Sequence, residues 1–380
     1  MPGLEGAGLK SDLVKKANQL GFTLVGVTSA HPPESFPVFK QWIAHGMQAG
    51  MDYLASERSL SRRSDPKHIL PECQSILVLG IPYFPAGETP GGVAAYALGE
   101  DYHEVLKPRM QELVSFLEEL AGHPIPNRWY TDTGPVLERD LARRAGLGWI
   151  GKNSMLIHPQ RGSYFLLAEI FLGIELPNDD PFETDHCGSC TRCLESCPTR
   201  CILPDRTLDA RSCISYLTIE NKAEIPIGLR EQMGEWLFGC DVCQQVCPWN
   251  RFAPEKGDAN FAARIGRPPE NLSDELLLSA EAFNRKFKGS PVKRTKRRGY
   301  LRNTAVVLGN RQMQADVTSL AAGMGDPEAL VRQHAAWALG STGGVEARTI
   351  LQGALDRESE PAVISEIRAA MAQIDGRGQE

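Results

Sequence analysis

Cys187-x-x-Cys190-x-x-Cys193-x-x-x-Cys197-Pro198, answered further on by Cys240-x-x-Cys243-x-x-x-Cys247-Pro248, constrains this 380-residue chain more than any other stretch. Three closely spaced thiolates grip one cubane 4Fe–4S cluster, while the fourth Cys, followed by Pro, reaches across to a second. Two half-motifs therefore imply two clusters with crossed ligation. Cys187, Cys190 and Cys193 join Cys247 on the first; Cys197 joins Cys240 and Cys243 on the second. The second set is one thiolate short, because Leu237 stands where a complete motif has Cys, and Cys213 and Cys201 are the candidates nearby. Paired C-x-x-C units also build structural zinc sites, but this spacing matches no ribbon or finger. Cysteines crowded this way in a long chain are more often metal ligands than disulfide partners.

The length suits two or three domains. No apolar run approaches the ~20 residues of a membrane span. Met1 to Lys10 lacks the basic and apolar regions of a signal peptide, so the expectation is a cytoplasmic protein. Leu9, Leu13, Ala17 and Leu20 predict a helix ended by Gly21; Phe22–Val27 and Ser75–Tyr83 read as strands, and Glu104–Leu120 as an amphipathic helix. Helices alternating with buried strands predict an α/β or α+β layer architecture for residues 1–178.

Tyr130 to Phe171 is the densest stretch before the cysteines. Pro135 and Gly146 bracket a predicted helix carrying Leu137, Leu141 and Ala145. Gly146-x-Gly148-x-x-Gly151 matches the dinucleotide fingerprint by letter, but a helix precedes it and a strand-like Met155–His158 follows, so tight backbone turns are the expectation. Asp132, just before the helix, reads first as an N-terminal cap and second as an acid for proton transfer. Lys152 and Asn153 read as solvated loop residues. Asn178–Glu183 marks a boundary before a cluster domain, 179–260, which is an electron wire and needs an acceptor elsewhere.

Between Ala282 and Ala315 stand ten basic residues and no acidic one, in a chain of net charge −6. Such segregation points to a phosphate-backbone partner, with Lys293, Arg294, Lys296, Arg297, Arg298 and Arg302 at its centre. Phe283, Phe287 and Tyr300 interleave with the charges and equally suit a core. Arg302-x-x-Ala305 with Leu308-Gly309 echoes Arg332-x-x-Ala335 with Leu339-Gly340, and Val363–Ile374 is a third helix; residues 261–380 thus predict a short HEAT-like α-solenoid, with His334 and Trp337 as packing residues. Cys73 reads as a buried small hydrophobe. An electron-transfer module, an α/β domain and a basic helical tail together suggest reductive modification of RNA. The Asp-x-His-x-x-Gly cobalamin motif is absent, since Asp101-x-His103 lacks the Gly.

The chain resembles the epoxyqueuosine reductases. The resemblance rests on Gly50-Met51-Asp52-Tyr53-Leu54, Gly99-Glu100-Asp101-Tyr102-His103, Asp132-Thr133-Gly134, Ala145–Gly148, Gly151-Lys152-Asn153, Gly162-Ser163-Tyr164, both cysteine motifs, Ile214–Glu220 and Lys293–Asn303. It implies an α+β multidomain protein: an α/β domain binding base-off cobalamin, a ferredoxin-like domain with two 4Fe–4S clusters, and a HEAT-like domain gripping the tRNA anticodon stem-loop. It also implies reduction of epoxyqueuosine to queuosine at the wobble position, the last step of queuosine biosynthesis, with electrons from an external donor; a closed globular chain with a capped solenoid suggests a monomer. By the same resemblance Asp132 is the proton donor; Arg58, Asp132, Lys152, Leu156, Leu167 and Asp241 contact cobalamin; Cys213 completes the second cluster; and Cys201 is a spare thiol. The competing expectations are a corrinoid reductive dehalogenase acting on small molecules and a non-catalytic electron carrier that docks on RNA.

Overall fold

The computed structural model describes residues 2–83, 92–264 and 269–377. They group into two compact units, each drawing on three stretches of chain: the described residues of Met1–Glu88, Gly99–Arg211 and Asp241–Ala262 in one, and of Thr89–Leu98, Ser212–Cys240 and Ala263–Glu380 in the other.

The first unit is built on a sheet of β1 (Leu24–Ser29), β2 (Ser75–Pro82), β3 (Asn127–Tyr130) and, after the two-stranded hairpin of β4 (Trp149–Ile150) and β5 (Leu156–Ile157), β6 (Phe165–Leu172). Its order is β1-β2-β6-β3 and every pairing is antiparallel, so of the two layer architectures the sequence left open, α+β is the one built. β2 is buried at all eight positions because both faces are covered. On one face Leu77, Ile170 and Leu172 meet Leu13 of the helix Pro2–Gln19 and Leu113 and Leu117 of the helix Tyr102–Ala121. On the other, Ile76, Val78 and Phe171 pack with Leu141 and Ala142 of the helix Glu138–Arg144, and with Ala145 and Leu147. Strand side chains alternate between faces, which puts Leu167 and Glu169 on this second side with Phe171. Cys73 is 2% exposed in this core, and burial pushes its thiol up to about 11.

In the second unit the helix Lys296–Arg311 is buried without a break from Gly299 to Gly309, so it is the central rod and not an amphipathic surface helix. Ala329–Thr342 and Pro361–Arg377 follow. The repeated glycines have a packing reason. A Cβ on Gly309 would lie 2.6 Å from the Trp337 ring, and one on Gly340 would lie 2.7 Å from Cβ of Ala370. Each repeat thus lets the next helix approach. Phe283, Phe287, Tyr300 and Leu237 belong to this core, as does Trp337. His334 is buried, accepts from Ile225 N–H at Nε2 (3.1 Å) and faces Leu330 O with Nδ1 (2.8 Å); it packs and ties backbone as expected. Among the described residues no helix is long and apolar enough to cross a membrane.

Candidate active site and cluster-binding segments

β3 ends at Tyr130, and the chain turns into a loop that carries Asp132. Thr131 donates through Oγ1 to Leu167 O (2.8 Å), which ties the loop to β6. Gly134 is required where the loop folds back, because a Cβ there would stand 2.5 Å from the Tyr130 ring. Arg63, buried and stacked over Phe39 at 5.4 Å, donates to Gly134 O (3.2 Å). Asp132 itself has φ +57°, the left-handed region. The expectation of Asp132 as a helix cap is corrected: the helix starts at Glu138 with Leu137 as its N-cap, six residues later. Asp132 stays exposed instead. Its Oδ2 accepts from Tyr102 O–H at 2.6 Å and its backbone N–H donates to Glu138 Oε1 at 2.6 Å.

Two further carboxyl groups stand behind it. Burial and the neighbouring Asp132 push Glu138 up to about 7. Glu169, 0% exposed at the centre of β6, is raised well above the usual range by burial and by Glu138. Sequence reasoning missed both. A lone carboxylate inside the apolar run Phe165–Leu172 was the signal available for Glu169.

The glycine fingerprint makes turns. Gly148 has φ +144°, and a Cβ on it would reach within 2.2 Å of Ile157 O; the residues that follow form β4 and β5, not a helix. The β4–β5 hairpin binds both cysteine segments. Lys152 Nζ donates to Gly188 O (2.7 Å) and Cys190 O (3.0 Å), and Asn153 Nδ2 donates to Cys243 O (3.3 Å). Neither is the solvated loop residue expected from sequence: Asn153 is 5% exposed, and half-buried Lys152 gives two of its three N–H bonds to carbonyls. Trp149 Nε1–H points at Cys187 Sγ (3.4 Å), inside a ring cluster with Phe182, His186 and Trp249.

The four thiols expected on the first cluster act on one another through charge. Burial raises Cys193, and Cys187, Cys247 and Cys190 add to that through their charge. Chain-distant Cys247 is thus within electrostatic reach of the other three, a donor set that fits an iron–sulfur cluster and no disulfide pattern. Cys197 and Cys201 have sulfurs 3.5 Å apart, with Cys201 4% exposed; Cys243 lies in the same unit. Cys213 and Cys240 belong to the second unit. Of the other expected contacts, Arg58 is exposed, Leu167 half-buried, and Leu156 and Asp241 buried.

The basic run is less uniform in space than in sequence. Arg302 is 0% exposed and donates to Leu217 O (2.7 Å), Asn221 O (3.0 Å) and Ala223 O (2.6 Å), so the expectation that it meets phosphate is corrected: it clamps backbone. Arg297 pairs with Asp326, and Arg294, although exposed, pairs with Glu220. Lys293, Lys296 and Arg298 are exposed. Acidic partners remote in sequence explain the difference.

Comparison with known proteins agrees with these parts. A family model described as "Epoxyqueuosine reductase QueG, DUF1730" matches residues 63–133, one for a 4Fe-4S double cluster binding domain matches 186–250, and one for HEAT repeats matches 298–372. An epoxyqueuosine reductase of Pseudomonas aeruginosa is 39% identical over 343 residues, covering 88% of this chain and 94% of the relative. One of Xanthomonas campestris is 40% identical over 338 residues, covering 86% and 94%. A crystal structure of epoxyqueuosine reductase with a tRNA-TYR epoxyqueuosine-modified tRNA stem loop superposes with TM-score 0.90 at 30% identity, covering 97% of this chain and 99% of that one. With a double 4Fe–4S cluster domain, a HEAT-repeat segment and relatives alike along nearly its whole length, the chain belongs to the epoxyqueuosine reductase family.

Proposed function

We propose that this chain reduces epoxyqueuosine to queuosine at the wobble position of a tRNA anticodon stem-loop, with Asp132 as the acid that protonates the departing oxygen. The observation that carries the reading is the exposed Asp132 carboxyl, held by Tyr102 and backed by Glu138, in the same unit as Cys187, Cys190, Cys193 and Cys247. Residues 1–178 form the catalytic part, 179–260 the electron-transfer part and 261–380 the RNA-gripping part. Electrons come from an external donor to a monomeric, cytoplasmic enzyme.

Cys187, Cys190, Cys193 and Cys247 hold one cluster, and Cys197, Cys213, Cys240 and Cys243 the other; the clusters, when bound, supply electrons one at a time. Cobalamin would supply a strongly reducing cobalt centre. Arg58, Asp132, Lys152, Leu156, Leu167 and Asp241 are the residues proposed to hold it. Two observations support the fit: apolar Leu167 is tied to the Asp132 loop through Thr131, and Leu156 lies on the hairpin whose Lys152 and Asn153 hold the cysteine segments. Lys293, Lys296 and Arg298 are the proposed phosphate contacts, since they are the exposed members of the run's centre with no acidic partner described.

The deciding experiment is nucleoside mass spectrometry on epoxyqueuosine-containing tRNA incubated anaerobically with chemically reduced protein. Queuosine should form with cobalamin present and not without it. Absence of queuosine, from protein holding about eight iron atoms, would remove the reading. The ligand choice has its own check. Cys213→Ser should lose up to half of the iron and Cys201→Ser none; the reverse pattern would make Cys201 the ligand.

A further inference from the structure

Trp149 is fixed more firmly than a place in a two-residue strand requires. It pairs in register with Ile157 and is 2% exposed. Its ring stacks on Phe182 (centroids 5.7 Å apart, planes at 28°) and meets His186 and Trp249 edge-on at 4.9 and 5.1 Å. An indole N–H can only donate, and when buried it usually finds an acceptor. Here the acceptor is Cys187 Sγ at 3.4 Å, a sulfur expected to bind iron.

The turn that carries this sulfur is tied to the same hairpin on both sides. Cys187 N–H donates to Asp185 Oδ1 (2.8 Å), Asp185 pairs with Arg206, and Arg206 donates to Ile150 O (3.1 Å). Lys152 holds Gly188 O and Cys190 O, and Gly188 takes φ +51° at the bend. Donor and sulfur thus ride on one scaffold within the first unit.

A thiol sulfur is a weak acceptor, whereas a thiolate bound to iron carries negative charge and makes the hydrogen bond charge-assisted. The donation strengthens again when the cluster takes an electron, because the acceptor becomes more negative. A hydrogen bond that favours the reduced form raises the reduction potential. The bulk of the ring acts the other way: an apolar ring beside Cys187 excludes water, and that disfavours the more highly charged form.

We propose that the Trp149 N–H raises the reduction potential of the cluster held by Cys187, Cys190, Cys193 and Cys247, so that it accepts one electron more readily from the external donor. This rests on the ligand assignment of Cys187 given above. Trp149 is a positioning residue that acts through Cys187 and touches no substrate. The step it tunes is a one-electron reduction in which no bond between heavy atoms forms or breaks.

The test uses the full chain with both clusters, wild type against Trp149→Phe, each holding about eight iron atoms. Potentiometric titration followed by electron paramagnetic resonance reads the two one-electron steps. In Trp149→Phe one midpoint should fall, with the equilibrium constant for reduction down roughly tenfold, about 59 mV, and the other should stay. The sign separates the two roles of the ring, since loss of packing alone admits water and moves the midpoint up. An unmoved or raised midpoint in iron-replete Trp149→Phe would overturn the proposal. A second measurement needs no variant. Wild type grown on tryptophan labelled at the indole nitrogen, then partly reduced, should show that nitrogen coupled to the cluster spin in pulsed paramagnetic resonance. Absence of the coupling would overturn the proposal even where Trp149→Phe fails to fold. Cys187→Ala that keeps all its iron would instead remove the ligand assignment, and the proposal with it.

Discussion

Asp132→Asn is expected to lose roughly 10²–10⁴ in the rate of queuosine formation, the usual contribution of a general acid, while iron content and affinity for the stem-loop stay at wild-type values. The substitution isolates the acid because of where the residue sits. At φ +57° most side chains are strained, and Asn is among the few that adopt the left-handed region readily. The amide oxygen can still accept from Tyr102 O–H, and the bond from the backbone N–H to Glu138 does not depend on the side chain. The loop should therefore keep its shape and lose only its proton. Asp132→Ala would be a poorer probe, since it adds backbone strain and removes the Tyr102 contact. Single-turnover assays with stoichiometric enzyme and epoxyqueuosine-containing stem-loop, read by nucleoside mass spectrometry, check this. Wild-type turnover by a folded, iron-replete Asp132→Asn protein would remove Asp132 from the chemistry.

How legible the chain was depended on whether a residue's meaning lay in spacing or in its surroundings. Cysteine spacing carries its own chemistry, so the cluster domain was readable from the order of residues alone. Gly309 and Gly340 were visible as a repeat, but their purpose, room for Trp337 and Ala370, is a property of packed helices. Asp132 looked first like a cap because a helix begins nearby; the intervening loop moved that start to Glu138, and the family resemblance raised the second reading, an acid, above the first. The charge run misled in part for the same reason. Arg294 and Arg297 find Glu220 and Asp326, distant in sequence, and linear patterning has no access to such pairs. Leu237, read as a missing ligand, is 0% exposed and belongs to the helical core. Glu138 resembles any exposed helix-start carboxylate until Glu169 is found beside it.

Arg302→Ala should destabilise the helical unit by on the order of 3 kcal/mol and deplete iron, in a chain where the sequence alone would have predicted weakened RNA binding. The guanidinium donates to three backbone carbonyls and to Asn303 Oδ1, and Asn303 Nδ2 donates onward to Thr218 O (2.9 Å) and Leu237 O (2.7 Å). Thr218 Oγ1 completes the network by accepting from Gly239 N–H (2.9 Å). One buried cation thus fixes the helix Ile214–Ile219, whose N-cap is Cys213, together with the segment leading into Cys240. Burial pulls the Arg302 guanidinium down to about 9, yet it remains charged at neutral pH, as its carbonyl acceptors require. Truncation strands those carbonyls away from water, and that loss of satisfied acceptors is where the destabilisation comes from. Lysine should not rescue it, because a compact ammonium cannot reproduce the planar fork. The melting temperature of the helical unit should fall by roughly 10 °C, and iron should drop from about eight atoms toward four as Cys213 and Cys240 lose their orientation. Arg298→Ala should behave oppositely, keeping stability and iron while lowering stem-loop affinity and reducing the salt dependence of binding by about one unit of slope. Thermal melts, iron assays and salt-dependent fluorescence anisotropy on the two variants separate the roles. An Arg302→Ala protein with wild-type melting and weakened RNA binding would return Arg302 to the RNA surface.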